Sequence, residues 1–341
     1  MAYTTIDNPE LYFQCKIYTG NGSADHSITL DGSENMQPDM VWIKNRQAET
    51  SDDPHIVFDS VRGVTKHWRP NVNESETTDA DTLDAFQTDG FKVDADTKVN
   101  TNAEKYVAWC WKESATAGFD ILTYVGNHTS GRTVAHGLSA VPEYMIIKNL
   151  NSAEKPAVYH KGSDTASPED YLMVMSDTSA RLDDLSFLND TAPTSSIFTL
   201  GNTQGISEDG STMVAYLWRS VQGFSRFGSY EGNSNTNGSF VHLGFRPSYV
   251  LTKRATGGTG GWYLWDNKRN GFNGSTGNII LFPHHESLEG AGTTQRIDLL
   301  SNGFKFRHAD SDHNGSGSQY MFIAFAEQPF VNSNGVPCTA R

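Results

Sequence analysis

Tyr18-Thr-Gly-Asn21, Tyr124-Val-Gly-Asn127 and Tyr230-Glu-Gly-Asn233 are one tetrapeptide met three times, each copy 106 residues after the last. A fixed long period means that one structural unit has been repeated, so the fold must be read unit by unit. Moving outward from the tetrapeptide, other features recur in the same order. A proline precedes a lysine by six residues across an apolar run at Pro38 and Lys44, Pro142 and Lys148, and Pro247 and Lys253. Phe58-Asp59, Tyr159-His160 and Trp265-Asp266 follow, then Phe91, Phe198 and Phe304. Each unit closes on an apolar strand, Tyr106–Trp111, Met213–Trp218 and Phe322–Glu327, aligned on Ala108, Ala215 and Ala324.

Within a unit, apolar residues alternate or run in short blocks bounded by Gly, Asn, Asp and Pro, which is the pattern of strands. Met40-Val-Trp-Ile43 and its counterparts at Tyr144 and Tyr249 carry apolar groups on both faces, so these strands belong in the middle of packed layers. Asn-Gly or Asp-Gly pairs begin at Asn21, Asp31, Asp89, Asp209, Asn237, Asn302 and Asn314, residues suited to tight reversals. The fold expected is all-β: three tandem β-sandwich-like repeats of about 105 residues each. They span 1–115 with an N-terminal segment, 116–222 and 223–330, and 331–341 forms a C-terminal arm that orders against a partner. Short joints at Ser114–Gly118 and Ser220–Gly223 predict packed neighbours, and leave a single pseudo-threefold body as the alternative to separate sandwiches.

The chain has 341 residues, with 26 Lys and Arg against 40 Asp and Glu, a formal charge of −14 and no basic block. Nucleic acid is thereby disfavoured as a partner, since phosphate binding needs clustered positive charge. Cys15, Cys110 and Cys338 have neither metal-ligand nor redox-pair spacing and read as reduced thiols. The first residues lack a basic stretch followed by an apolar run, and nothing later approaches eighteen apolar residues. The expectation is a chain made and kept in solution, without membrane insertion.

Residues present in all three units are explained by the fold, so function is sought in departures. Tyr18, Tyr124 and Tyr230 read as half-buried strand ends. Lys44, Lys148 and Lys253 read as strand-closing lysines that reach solvent or pair with a carboxylate. Asp59 with Arg62 and Asp266 with Arg269 read as turn-stabilising ion pairs, replaced in the second unit by His160 and Ser163. Trp42, Trp109, Trp111, Trp218 and Trp265 are core candidates. Trp68, within Lys66-His67-Trp68-Arg69-Pro70, and Trp262, after the glycine-rich Gly257–Gly261, do not recur. His67, Trp68, Arg69 and Trp262 are therefore the ligand-binding candidates, because an aromatic platform beside hydrogen-bonding groups stacks on a sugar ring or fills a partner's pocket. The plainer alternative is that each tryptophan packs over its own loop.

Asp310, Asp312 and Asn314, followed by Gly315, match the start of a calcium loop. The twelfth position is Met321 instead of a bidentate Glu, which favours a solvated hairpin loop. No nucleophile elbow, phosphate-binding loop or His-Glu-x-x-His occurs, and the acidic pairs at Asp79, Asp81, Asp94 and Asp96 read as solubilising loops. The residues thus predict a protein that is not an enzyme and has no cofactor.

The strings at 38–46, 58–66, 106–112, 224–233, 244–251 and 324–330 together resemble repeat-built structural proteins of aquatic tailed bacteriophages, labelled tail or tail-fibre proteins. The resemblance spans nearly the whole chain and transfers no catalytic or ligand residue. It implies a virion structural protein of the tail or particle exterior, assembled in the bacterial host cytoplasm and contributing to host attachment. The partners implied are other virion proteins, further copies of itself and a host surface glycan. A head decoration protein is the first alternative, and a glycan-cleaving depolymerase the second.

Overall fold

The structure is a computed structural model that describes residues 2–47, 53–269, 273, 278–292, 294 and 296–338. It is all-β, and its helices are single turns. Three antiparallel sheets share one strand order. The first runs Phe13–Thr19, Lys105–Trp111, Met40–Asn45, Ile56–Asp59. The second runs Phe119–Val125, Thr212–Trp218, Tyr144–Asn149, Ala157–His160, and is extended by Tyr171–Val174 and Leu182–Asp183. The third runs Ser225–Glu231, Gln319–Pro329, Phe245–Arg254, Trp262–Asp266.

Both faces of each sheet are covered, which is why the apolar residues of its central strands occupy both faces. In Met40–Asn45 all six residues are buried. Val41 and Ile43 face a core closed by the small sheet of His26–Ile28, Gly90–Val93 and Leu83–Gln87. Corresponding cores lie under Arg132–Ala135 with Ile197–Leu200, and under Phe240–His242 with Gly303–Phe306 and Ile297–Leu300. Met40 and Trp42 point the other way, into a fourth cluster built from all three sheets. At its centre Trp111 meets Trp218 at 6.4 Å and Phe325 at 5.7 Å between ring centroids, and Tyr144 stacks on Trp218 at 5.0 Å. Three two-layered units therefore share one core. Each buried aromatic there contributes roughly 1.5–3 kcal/mol through area removed from water, so a unit cut out of the chain would expose its inner face.

The tetrapeptide is explained by local packing. Tyr18, Tyr124 and Tyr230 donate their hydroxyls to the carbonyls of Val99, Ile206 and His313, at 2.8 Å in each case. Those carbonyls belong to one-turn helices at Thr97–Asn100, Gln204–Ser207 and Ser311–Asn314. The glycine lets the chain pass against the same turn: a Cβ on Gly20, Gly126 or Gly232 would stand 2.2, 2.1 or 2.3 Å from the carbonyl oxygen of Thr101, Glu208 or Gly315. No L side chain fits that approach.

Two sequence expectations are corrected. Lys44, Lys148 and Lys253 are fully buried instead of reaching solvent. Lys44 Nζ donates to the carbonyls of Asn45 (2.7 Å) and Asp53 (2.8 Å), Lys148 to that of Glu154 (2.6 Å), and Lys253 to that of Gly260. Carbonyl cages replace water around each ammonium, and desolvation brings Lys148 and Lys253 down to about 8. Secondly, Ala324 is not in register with Ala108 and Ala215. Those two alanines oppose Ile43 and Ile147, whereas the residue opposite Thr252 is Phe322, and Ala324 opposes Val250. The shift is two residues, which preserves the face each side chain points to and hides the error from the alternation pattern.

The expected arm also forms contacts within the chain. Val331 bridges Pro337, and the Ser333 amide donates to Asp7 Oδ1 at 2.7 Å. Residues 339–341 of that arm lie outside the described residues. No helix among the described residues is long and apolar enough to cross a membrane.

Candidate functional site: a cleft between the second and third units

The units are joined head to tail by polar groups buried in their interfaces. Asp59 of the first unit accepts from the Tyr216 hydroxyl of the second at 2.6 Å. Asp266 of the third accepts from Trp109 Nε1 of the first at 3.2 Å. Tyr216 and Trp109 occupy equivalent places on their strands, opposite Ile146 and Trp42. In the third unit that place, opposite Leu251, is Ile323, which has no polar atom to offer a neighbour. The second unit accordingly carries His160 instead of an aspartate, and His160 Nε2 lies 3.0 Å from the Phe322 carbonyl. Burial holds this imidazole down at about 3, so the neutral ring donates to that carbonyl while its Nδ1 accepts from the Gly162 amide. The aspartates pair with Arg62 and Arg269 at 2.5 and 2.6 Å, as the sequence suggested, and both pairs are buried.

The sequence-derived ligand candidates lie inside these interfaces. Trp68 is 1% exposed and Trp262 0%, both in the shared core. Trp68 Nε1 donates to the Tyr216 hydroxyl and Trp262 Nε1 to the Val174 carbonyl, each at 2.9 Å. Each tryptophan fills a contact with the second unit that the other interfaces fill differently, which is why neither recurs. Neither ring offers a face to a ligand. His67 is buried against Phe58 with its pKa held down at about 4 by desolvation, and Arg69 pairs with Glu74. Burial therefore removes Trp68, Trp262 and His67 from a solvent-facing site, while Arg69 stays half-buried at the surface in its pair with Glu74.

The calcium-loop candidates have structural duties as well. Asp310 caps the Ser311–Asn314 turn by accepting from the Asp312 amide at 2.8 Å. Asp312 accepts from the Tyr263 hydroxyl, and Asn314 donates to the carbonyls of Asn235 and His308 at 2.9 Å. Among the described residues no group of three His, Cys, Asp or Glu side chains is arranged to hold a metal.

A site that the motif search missed opens between the second and third units. A cleft of about 390 Å³ is lined by Lys161 from the second unit and by Arg226, Gly228, Phe240, His242 and Phe322 from the third. It adjoins a second cleft of about 500 Å³, lined by Thr165, Ser229, Glu231, Thr256, Ser318 and Gln319. Both run along Ser225–Glu231, an edge strand of the third sheet. Comparing the three units position by position shows why the cleft is there. Lys16 opposes Ala108 and Leu122 opposes Ala215, a long side chain over a short one, whereas Gly228 opposes Phe322. The Phe322 ring lies against Gly228, close enough that a Cβ there would stand 3.0 Å from it. The bulk is thus moved from the outer strand to the inner one, and the outer surface is left hollow.

The rim departs in the same unit. Where the first two units have Gln14 and Asp120, the third has Arg226; Ser27 and Thr133 give way to Phe240, and Thr29 and Ala135 to His242. Phe240 is 46% exposed, with the His242 ring edge-on to it at 6.5 Å. Arg226 is exposed and forms no ion pair among the described residues, while Lys161 is held at 2.7 Å by Glu143. An apolar ring face, a guanidinium without an ion-pair partner among the described residues and the hydroxyls of the adjoining cleft can hold a polar, ring-shaped ligand. The signal that could have found it was the trio of positions Ser27, Thr133 and Phe240, legible once strand pairing fixes the register.

No curated protein and no solved structure matches the chain. One family model does, over residues 8–329, and so across all three sheets and the cleft. The chain belongs to the family described as a domain of unknown function, DUF7483.

Proposed function

We propose that this is a non-enzymatic virion structural protein of a tailed bacteriophage, a tail or tail-fibre component contributing to host attachment. The observation that carries the reading is the asymmetry of a threefold-like body: three similar units close on one core, and among the described residues the junction of the second and third carries an open cleft with an exposed aromatic and an arginine that forms no ion pair. A scaffold held by a shared core and buried ion pairs is suited to bearing load, and the cleft gives it one face to present to a surface glycan. Immunogold labelling of particles with an antibody to the purified chain tests the placement; label on the tail or fibre is expected, and purified particles without label would end the reading. The pseudo-threefold form also suits a head decoration protein seated at a threefold position, for which label would fall on the capsid.

A further inference from the structure

We propose that the cleft between the second and third units binds an anionic sugar chain, one bearing carboxylates, and that Arg226 and Phe240 are its principal contacts. The proposal rests on the attachment reading and names the ligand class for it. Three observations support it. Two cationic groups, Arg226 and Lys161, line the cleft on a chain whose formal charge is −14, and Arg226 has no carboxylate partner of its own among the described residues. A guanidinium presents a planar fork that matches a carboxylate in two parallel hydrogen bonds. Phe240 supplies the flat apolar face on which the C–H side of a sugar ring rests, at a position where the other two units carry Ser27 and Thr133. The adjoining cleft continues with the hydroxyls and amide of Thr165, Ser229, Thr256, Ser318 and Gln319. From Arg226 to Glu231 an extended strand covers roughly 17 Å at ~3.3 Å per residue, so the surface accommodates a run of rings instead of a single one.

Binding is measured for the full chain on an array of acidic and neutral polysaccharides, and by calorimetric titration with tetragalacturonate and with cellotetraose. The expected result is retention on uronate-containing spots, a measurable affinity for tetragalacturonate that weakens as salt is raised, and none for cellotetraose. Arg226→Ala combined with Phe240→Ser, which puts back the serine of the first unit, is expected to weaken tetragalacturonate binding at least tenfold with an unchanged circular dichroism spectrum and unfolding midpoint. Binding to neutral glycans alone would overturn the ligand class and leave the attachment reading standing. Absence of binding to every glycan would overturn this proposal, while tail labelling judges the virion placement separately. Unchanged uronate binding in the double variant would overturn the assignment to this cleft. Failure of that variant to enter particles, with uronate binding intact, would make the cleft a protein interface and overturn the proposal as well.

Discussion

Replacing Asp266 by alanine tests whether buried ion pairs tie the three units together. Asp266 is 1% exposed and its carboxylate accepts four hydrogen bonds: from the amides of Lys268 (3.1 Å) and Arg269 (2.9 Å), from Arg269 Nε (2.6 Å) and, across the interface, from Trp109 Nε1 (3.2 Å). Truncation leaves the Arg269 guanidinium in the interior with Glu289 as its remaining acidic neighbour, at 3.9 Å, and leaves the Trp109 N–H without an acceptor. Breaking a buried pair by removing one partner costs about 3–5 kcal/mol, because the other charge stays desolvated. Arg269→Ala is expected to cost a similar amount. The double variant removes both charges, so its cost should fall short of the sum of the single costs by about 2–3 kcal/mol, within the range found for residues in direct contact. The assay is urea unfolding followed by tryptophan fluorescence and far-ultraviolet circular dichroism. Single costs below about 1 kcal/mol, or costs that add to within about 0.5 kcal/mol, would refute the claim that the pair is desolvated and coupled.

Acid should destabilise the fold before the bulk of its carboxylates titrate. Burial holds His67 and His284 at about 4 and His160 at about 3, so between pH 6.5 and 4 the unfolded chain binds protons that the folded chain refuses. Stability therefore falls as pH falls through this window, by ~2 kcal/mol per histidine at pH 5. Glu113, raised to about 7 by burial, acts the opposite way, since its stabilising proton is lost as pH rises through 7. The histidines outnumber it, and a urea midpoint higher at pH 5 than at pH 7 would contradict the assignment. Gly20→Ala and Gly126→Ala should each destabilise by at least ~2 kcal/mol through collision with a backbone carbonyl, whereas Gly290→Ala, where a Cβ meets nothing within 4 Å and the backbone is not left-handed, should cost about 1 kcal/mol or less; equal effects at the three glycines would refute the packing account. Trp68→Ala should cost about 3–5 kcal/mol in thermal or chemical unfolding and leave tetragalacturonate affinity unchanged at temperatures where the variant is folded, which separates its core role from the contact role suggested by sequence.

The sequence conveyed the fold class because the cause of that class is local. Alternating and double-faced apolar strands, and a glycine forced by each helical turn, leave their mark within a few residues. The tryptophans misled because exposure is set by distant chain. Trp68 sits in a polar stretch, and it is buried in a core that includes Tyr216, 148 positions later. The lysines misled for the same reason: carbonyl cages are made by backbone, which every sequence possesses and none advertises. Phe240 and Arg226 were overlooked because neither belongs to a motif. Their significance is comparative, and the comparison needs a strand register that aligning Ala324 with Ala108 sets two residues out.

The closed circuit of unlike contacts, aspartate to tyrosine, histidine to carbonyl and aspartate to tryptophan, has a bearing on valency. A true trimer of identical subunits would repeat any recognition surface three times and gain multivalent grip from a single particle component. Three similar units in one polypeptide leave each junction free to differ, and here the junction of the second and third opens into a cleft. If the proposed glycan binding holds, such a molecule would engage one receptor strand per copy, and firm adhesion would come from the number of copies displayed together.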